Sequence, residues 1–245
     1  MHALSASKLL SVWEQAVGQP PVARSLALLA AAFPEQTPEE LAHLSIGRRD
    51  RLLLALREQT FGSRLVCRTP CQRCCEPLEL TFNVADIRAP TAAATTAEAL
   101  TLQAGDYEVL FRLPNSLDLS ALADCRDVAA GELLLLARCL LHVSADGQAR
   151  AAEELPGDVR EAVVRHMAEA DPQADVQLTL ACPACGHRWL AAFDIVSYFW
   201  SEINAWAQRI LREVHTLAAA YGWREEDILA MSPPRRHIYL EMVGG

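Results

Sequence analysis

The 245-residue sequence predicts an α+β fold, predominantly helical, and three observations carry that prediction. Two C-x-x-C knuckles, Cys71–Cys74 and Cys182–Cys185, are flanked by runs in which apolar and polar residues alternate with period two, the pattern of a half-buried strand. Apolar residues at helical spacing fill most of the first 60 positions. The third observation is a long run in which Ile195, Phe199, Ile203, Trp206, Ile210, Val214, Leu217 and Tyr221 recur in steps of three or four until Gly222 stops it. The expected architecture is a split zinc ribbon joining an N-terminal helical region to a long C-terminal helix.

Taken in order, residues 5–17 place Leu9, Leu10, Trp13, Ala16 and Val17 on one helical face, closed by Gly18 and the Pro20-Pro21 pair. A second apolar block, 22–33, stops at Pro34. Thr37-Pro38-Glu39-Glu40 is a capping box with proline at the first helical position. Residues 45–60 read as a helix with Leu52, Leu53 and Leu56 on one face and arginines on another, ended by Gly62.

After the first knuckle, Leu78, Leu80, Phe82 and Val84 alternate with polar residues as a strand. Residues 88–98 read as a surface connection, and 107–113 as extended chain. Asp118 and Asp127 are expected to cap helices near 119–123 and 128–142. Asp146-Gly147 is a turn, and 156–170 a further helix. Beyond the second knuckle, Asp194 stands where the long helix needs an N-cap. Off its main stripe, Tyr198 and Trp200 are expected to be partly exposed, with Trp206 in the core. Ile228-Leu229 and Ser232-Pro233 announce two short closing helices.

Composition bounds the function. At 51% hydrophobic the chain buries a large core, and a net charge of -9 disfavours binding to a phosphate backbone. The start, MHALSASKLL, lacks the pattern of a signal peptide, and no apolar run is long enough to span a membrane, so the expected location is cytoplasmic. Eight cysteines in a reducing compartment point to metal binding or buried thiols before disulfides.

A tetrahedral zinc needs four ligands, and each knuckle supplies two, so Cys71, Cys74, Cys182 and Cys185 are the candidate set for one structural Zn. Cys67, Cys75 and His187 stand close enough in sequence to substitute. Cys125 and Cys139 lie in apolar runs and read as core. Neither H-E-x-x-H nor a deaminase pattern is present, so no catalytic residue is assigned. Arg48, Arg49, Arg51, Arg57, Arg64, Arg68 and Arg73 make the stretch 45–75 basic, which reads as solvated helix surface or a contact for an acidic protein.

The segments IGRRDRLLLALREQTFG, CQRCCEPLEL, FRLPNSLDLSAL, CPACGHRWLAAFDI and EVHTLAAAYGWREEDILAMSPPRRHIYLEM resemble a family of zinc-knuckle baseplate hub assembly proteins of contractile phage tails and contractile injection systems. One departure is Cys75, where the family pattern has glycine. The resemblance implies a non-enzymatic assembly chaperone or minor structural component of a baseplate. Its implied partners are tail or baseplate proteins, without nucleic acid, membrane or a small-molecule substrate. A nucleic-acid-binding zinc-ribbon regulator is the alternative. The expected divisions are 1–62, helical; 63–87, first knuckle and strand; 88–175, an α/β insertion; and 176–245, second knuckle and C-terminal helices, folded as one integrated domain.

Overall fold

The computed structural model describes residues 1–90 and 99–244, so most of the surface connection expected at 88–98 lies outside the described residues. Four helices come first: α1 (Ala6–Ala16), α2 (Pro21–Ala32), α3 (Pro38–His43) and α4 (Ile46–Phe61). A hairpin of β1 (Arg64–Pro70) and β2 (Pro77–Asn83) leads into the single turn α5 (Val84–Ile87). Next come β3 (Leu100–Ala104), β4 (Tyr107–Phe111), α6 (Ser116–Ala121), α7 (Val128–Cys139), β5 (Leu140–Ala145), β6 (Gln148–Ala149) and α8 (Gly157–Ala170). A second hairpin, β7 (Gln177–Ala181) and β8 (Arg188–Ala192), precedes α9 (Ile195–Tyr221), α10 (Glu225–Ala230) and α11 (Pro233–Gly244). The fold is α+β and mainly helical, with the expected long C-terminal helix.

The chain forms two compact units, Met1–Gln36 with Ile195–Gly245, and Thr37–Asp194. The first unit is helical. Its α1, α2, α10 and α11 pack on α9, burying Leu10, Ile210, Val214, Leu217 and Ile228 in one cluster. Two polar contacts fix the packing: the Trp13 indole donates to Asn204 Oδ1 at 3.0 Å, and the buried Arg236 donates to Glu213 at 3.1 Å and to the Met231 carbonyl at 2.6 Å. Both tryptophans differ from the expected burial. Trp200 is only 7% exposed, with the Arg24 guanidinium 5.0 Å from its ring centre, whereas Trp206 packs half-buried at the margin of the cluster. The buried stripe is wider than steps of three and four from Ile195 suggest, because Val196, Trp200 and Ala207 belong to it.

The second unit carries all described strands, in three separate sheets: β1-β2, β3-β4-β5-β6 and β7-β8. Val109, Phe111, Leu136, Val143, Val159 and Val163 make the core of the four-stranded sheet and its helices. The helix expected at 128–142 ends at Cys139, and Leu140–Ala145 pairs antiparallel with β4 instead. A leucine-rich run satisfies both periods, and the neighbouring strand decides. Asp127 caps α7 as expected, its side chain accepting from the Ala129 amide. Asp118 does not cap α6; Asn115 does, and Asp118 is the third helical residue of its capping box, accepting from the Asn115 amide at 3.0 Å. Cys139 is buried, but Cys125 is half-buried and lies between helices.

Candidate metal centre

Each knuckle is the turn of its own hairpin. In the first, the Cys71 amide donates to the Glu76 carbonyl at 2.8 Å and the Cys75 amide to the Cys71 carbonyl at 2.9 Å. In the second, the Cys182 amide donates to the His187 carbonyl and the Gly186 amide to the Cys182 carbonyl, both at 2.9 Å. The residue after the second cysteine turns left-handed in both, at φ 61° for Cys75 and 70° for Gly186. The strands on either side are held in register from Pro70–Pro77 to Arg64–Asn83 and from Ala181–Arg188 to Gln177–Ala192.

These two turns bring together the four cysteines singled out by spacing. The Sγ atoms of Cys71, Cys74, Cys182 and Cys185 all lie within 4.8 Å of one another. Across the pair of turns, Cys71 Sγ is 3.7 Å from Cys185 Sγ and Cys74 Sγ is 3.6 Å from Cys182 Sγ. A disulfide would need about 2.05 Å. A tetrahedron of thiolates about 2.3 Å from a central ion has edges of roughly 3.8 Å, so the donor set fits a closed four-sulfur site. Neither Cys67, Cys75 nor His187 belongs to the group. Cys67 faces Leu80 in β1, and the His187 ring stacks on Trp189 at 5.4 Å.

Packing and electrostatics support that geometry. Cys71 and Cys182 are buried with Leu78, and Trp189 covers them from β8. Burial opposes ionisation of Cys71, but the amides of Cys74 and Arg73 and the adjoining thiols outweigh it and bring the Cys71 thiol down to about 7. The Arg73 amide lies 3.4 Å from its sulfur. At Cys74 the Glu76 amide favours the thiolate, yet Cys185, burial, Cys182 and Cys71 together push the thiol up to about 12. Four thiols this close together ionise in separated steps, and a central dication is the natural partner for their full charge.

The basic stretch is less open than its sequence implies. Arg49 and Arg57 are 4% and 2% exposed. Arg49 donates to Asp50 at 2.8 Å, and Arg57 to the Gly62 carbonyl at the end of its own helix at 2.6 Å. Arg68 pairs with Glu79 across the first hairpin. This corrects the expectation of a solvated arginine face: two of those side chains are part of the core.

A second polar centre went unassigned in the sequence. The fully buried Asp118 accepts from Arg112 at 2.5 and 2.9 Å and from Arg138 at 2.9 Å. Burial works against its charge, but the two guanidiniums and the Asn115 amide hold its carboxyl below the ordinary range. The N-S-L-D spacing of a capping box was the available signal. Similarly, Asp171 accepts from the Gly47 amide at 2.8 Å near the start of α4.

The profile of the T4 bacteriophage base plate proteins matches residues 25–200. The chain belongs to this family. The match takes in both knuckles and the whole insertion between them, so the four-cysteine centre lies inside the span this base plate protein shares with its family. No curated protein and no solved structure matches the chain. Among the described residues, no helix of this base plate protein is long and apolar enough to cross a membrane.

Proposed function

We propose that this member of the base plate family is a non-enzymatic assembly chaperone or minor structural component of the baseplate of a contractile phage-tail-like particle, held in shape by one structural zinc. The observation that carries the reading is the family match across residues 25–200. For the metal, the support is the donor set. Four thiolates suit zinc, and Cys71, Cys74, Cys182 and Cys185 together would fill its coordination sphere, leaving no position at which a bound metal could activate water or substrate. Zinc there would contribute folding energy and tie together hairpins whose knuckles are separated by 107 intervening residues, from Cys75 through Ala181. The partners on this reading are tail or baseplate proteins, met in the cytoplasm where particles assemble.

The test is made in cells producing the particle, with a tagged copy of this chain. Capture of baseplate intermediates from such cells, and incomplete particles when the gene is deleted, are the expected results. Presence in purified particles identifies a component; absence from them, with capture of intermediates retained, identifies a chaperone. Normal particles from the deletion strain would refute both.

A further inference from the structure

The helix α7 buries only Leu136 and Cys139 of its twelve residues. Its opposite face is apolar and open: Ala130, Leu133, Leu134 and Ala137 are all exposed, the leucines by 52% and 41%. At 3.6 residues per turn these four share one face, centred between the two leucines. Their order is palindromic, small-x-x-large-large-x-x-small. A two-fold axis perpendicular to the helix between Leu133 and Leu134 therefore sets each leucine against the other leucine of the second copy, and Ala130 against Ala137.

The charges along that face agree with the same axis. Asp127 and Arg138 lie on one flank of the stripe, near opposite ends of the helix. Under the two-fold operation, Arg138 of one copy comes within about 3 Å along the axis of Asp127 of the other, from the 1.5 Å rise per residue. The pairing occurs twice. Arg138 has charge to share, because it and Arg112 both bind the single buried carboxylate of Asp118, leaving one positive charge in excess. The four residues of the face are themselves uncharged, so none of them brings a like charge against its counterpart.

We infer that α7 is a self-complementary surface, and that two copies of this chain pair through it antiparallel in an isologous contact. Twelve helical residues span about 18 Å and supply fewer side chains than the roughly 20 to 30 per partner of a standard interface, so the dimer is weak and reversible.

Sedimentation and light scattering of the purified full chain over a wide concentration range test this. The expected result is a concentration-dependent dimer, which Leu134→Arg or Leu133→Arg converts to monomer at every concentration with melting temperature unchanged. Val128→Arg is the control. Val128 is 76% exposed, more than either leucine, but lies on the far side of the helix, so this variant dimerises like the parent. Asp127→Asn weakens the dimer and reduces its sensitivity to salt. A monomer at all concentrations overturns the inference, as does equal disruption by Val128→Arg. A monomeric parent whose Leu134→Arg variant loses capture of a baseplate protein assigns the face to a different chain, and equally overturns it.

Discussion

Cys75 and Gly186 occupy equivalent places in the two knuckles, each left-handed and each donating its amide to the carbonyl of the first cysteine of its own turn. A side chain in that conformation costs about 1 to 2 kcal/mol, which glycine avoids. Cys75→Gly is therefore expected to raise the unfolding free energy by about 0.5 to 1 kcal/mol, after allowance for the greater freedom of glycine in the unfolded chain. Urea denaturation reads the change. Its metal content should equal that of the parent, and a loss of metal would make Cys75 a ligand.

Metal removal separates ligands from bystanders. Purified protein is expected to hold close to one zinc per chain, lost in Cys182→Ser and in Cys71→Ser but kept in Cys67→Ser. The cost of losing it should at least equal that of removing a native disulfide, about 2 to 5 kcal/mol, since a bound ion would close a comparably long loop. Elemental analysis beside thermal unfolding checks both halves. Unchanged melting in a metal-free Cys182→Ser variant would remove the structural role.

The pH dependence of the second unit should carry the mark of Asp50. Burial pushes its carboxyl from 3.8 up to about 6 against the favourable Arg49, with Asp194 and Asp171 adding to the rise. A folded value above the unfolded one means that the folded chain binds the proton more tightly. The contribution to stability is complete below about 3.8 and disappears as the pH rises through 6. Relative to Asp50→Asn, the parent should gain about 2 to 3 kcal/mol between pH 7.5 and pH 4. The comparison cancels the acid sensitivity of any thiolate-bound metal, which both proteins share. A pH-independent difference would mean that Asp50 is ionised throughout.

Gly47 has no room for a side chain. An added Cβ would lie 2.9 Å from the Ala174 amide nitrogen and closer still to the Asp171 carboxylate. Gly47→Ala should cost roughly 1 to 3 kcal/mol despite its better helix propensity, because it crowds the contact that joins α4 to the Asp171 turn. Equilibrium unfolding measures this, and a stabilised variant would show that the turn yields freely.

Asp118→Ala leaves two guanidiniums facing an empty buried position and is expected to cost about 3 to 5 kcal/mol. Arg112→Ala should cost less, because Arg138 still neutralises the carboxylate. Equal losses in the two variants would argue against a shared network.

Most of the architecture was written in local signals. The Thr37 capping box, the Asp127 cap, the Asp146-Gly147 turn and the two knuckles each need only neighbours within a few residues, and the structure has all of them. Features set by distant partners were not legible. Arg49 reaches Ser116, 67 positions away, and its burial follows from that environment rather than from its own helix. Trp200 lies outside the steps of three and four that start at Ile195, yet it is buried, with Arg24 of α2 over its ring, a partner 176 positions away. The run 128–142 fits two periods at once, so only the pairing of Leu140–Ala145 with β4 shows where helix gives way to strand. The convergence of the cysteines was readable from ligand arithmetic alone, since a C-x-x-C pair is half of a tetrahedral site.

The discontinuity of the first unit bears on how the chain can fold as it is made. Residues 1–36 leave the ribosome carrying the apolar faces of α1 and α2, yet α9, on which both helices pack, begins at Ile195. At about 5 to 20 residues per second, these helices wait roughly 8 to 30 seconds for their partner. Cys71 and Cys74 wait similarly for the second knuckle. During that interval the nascent chain carries two apolar helix faces without their partner helix and one thiol pair without the other.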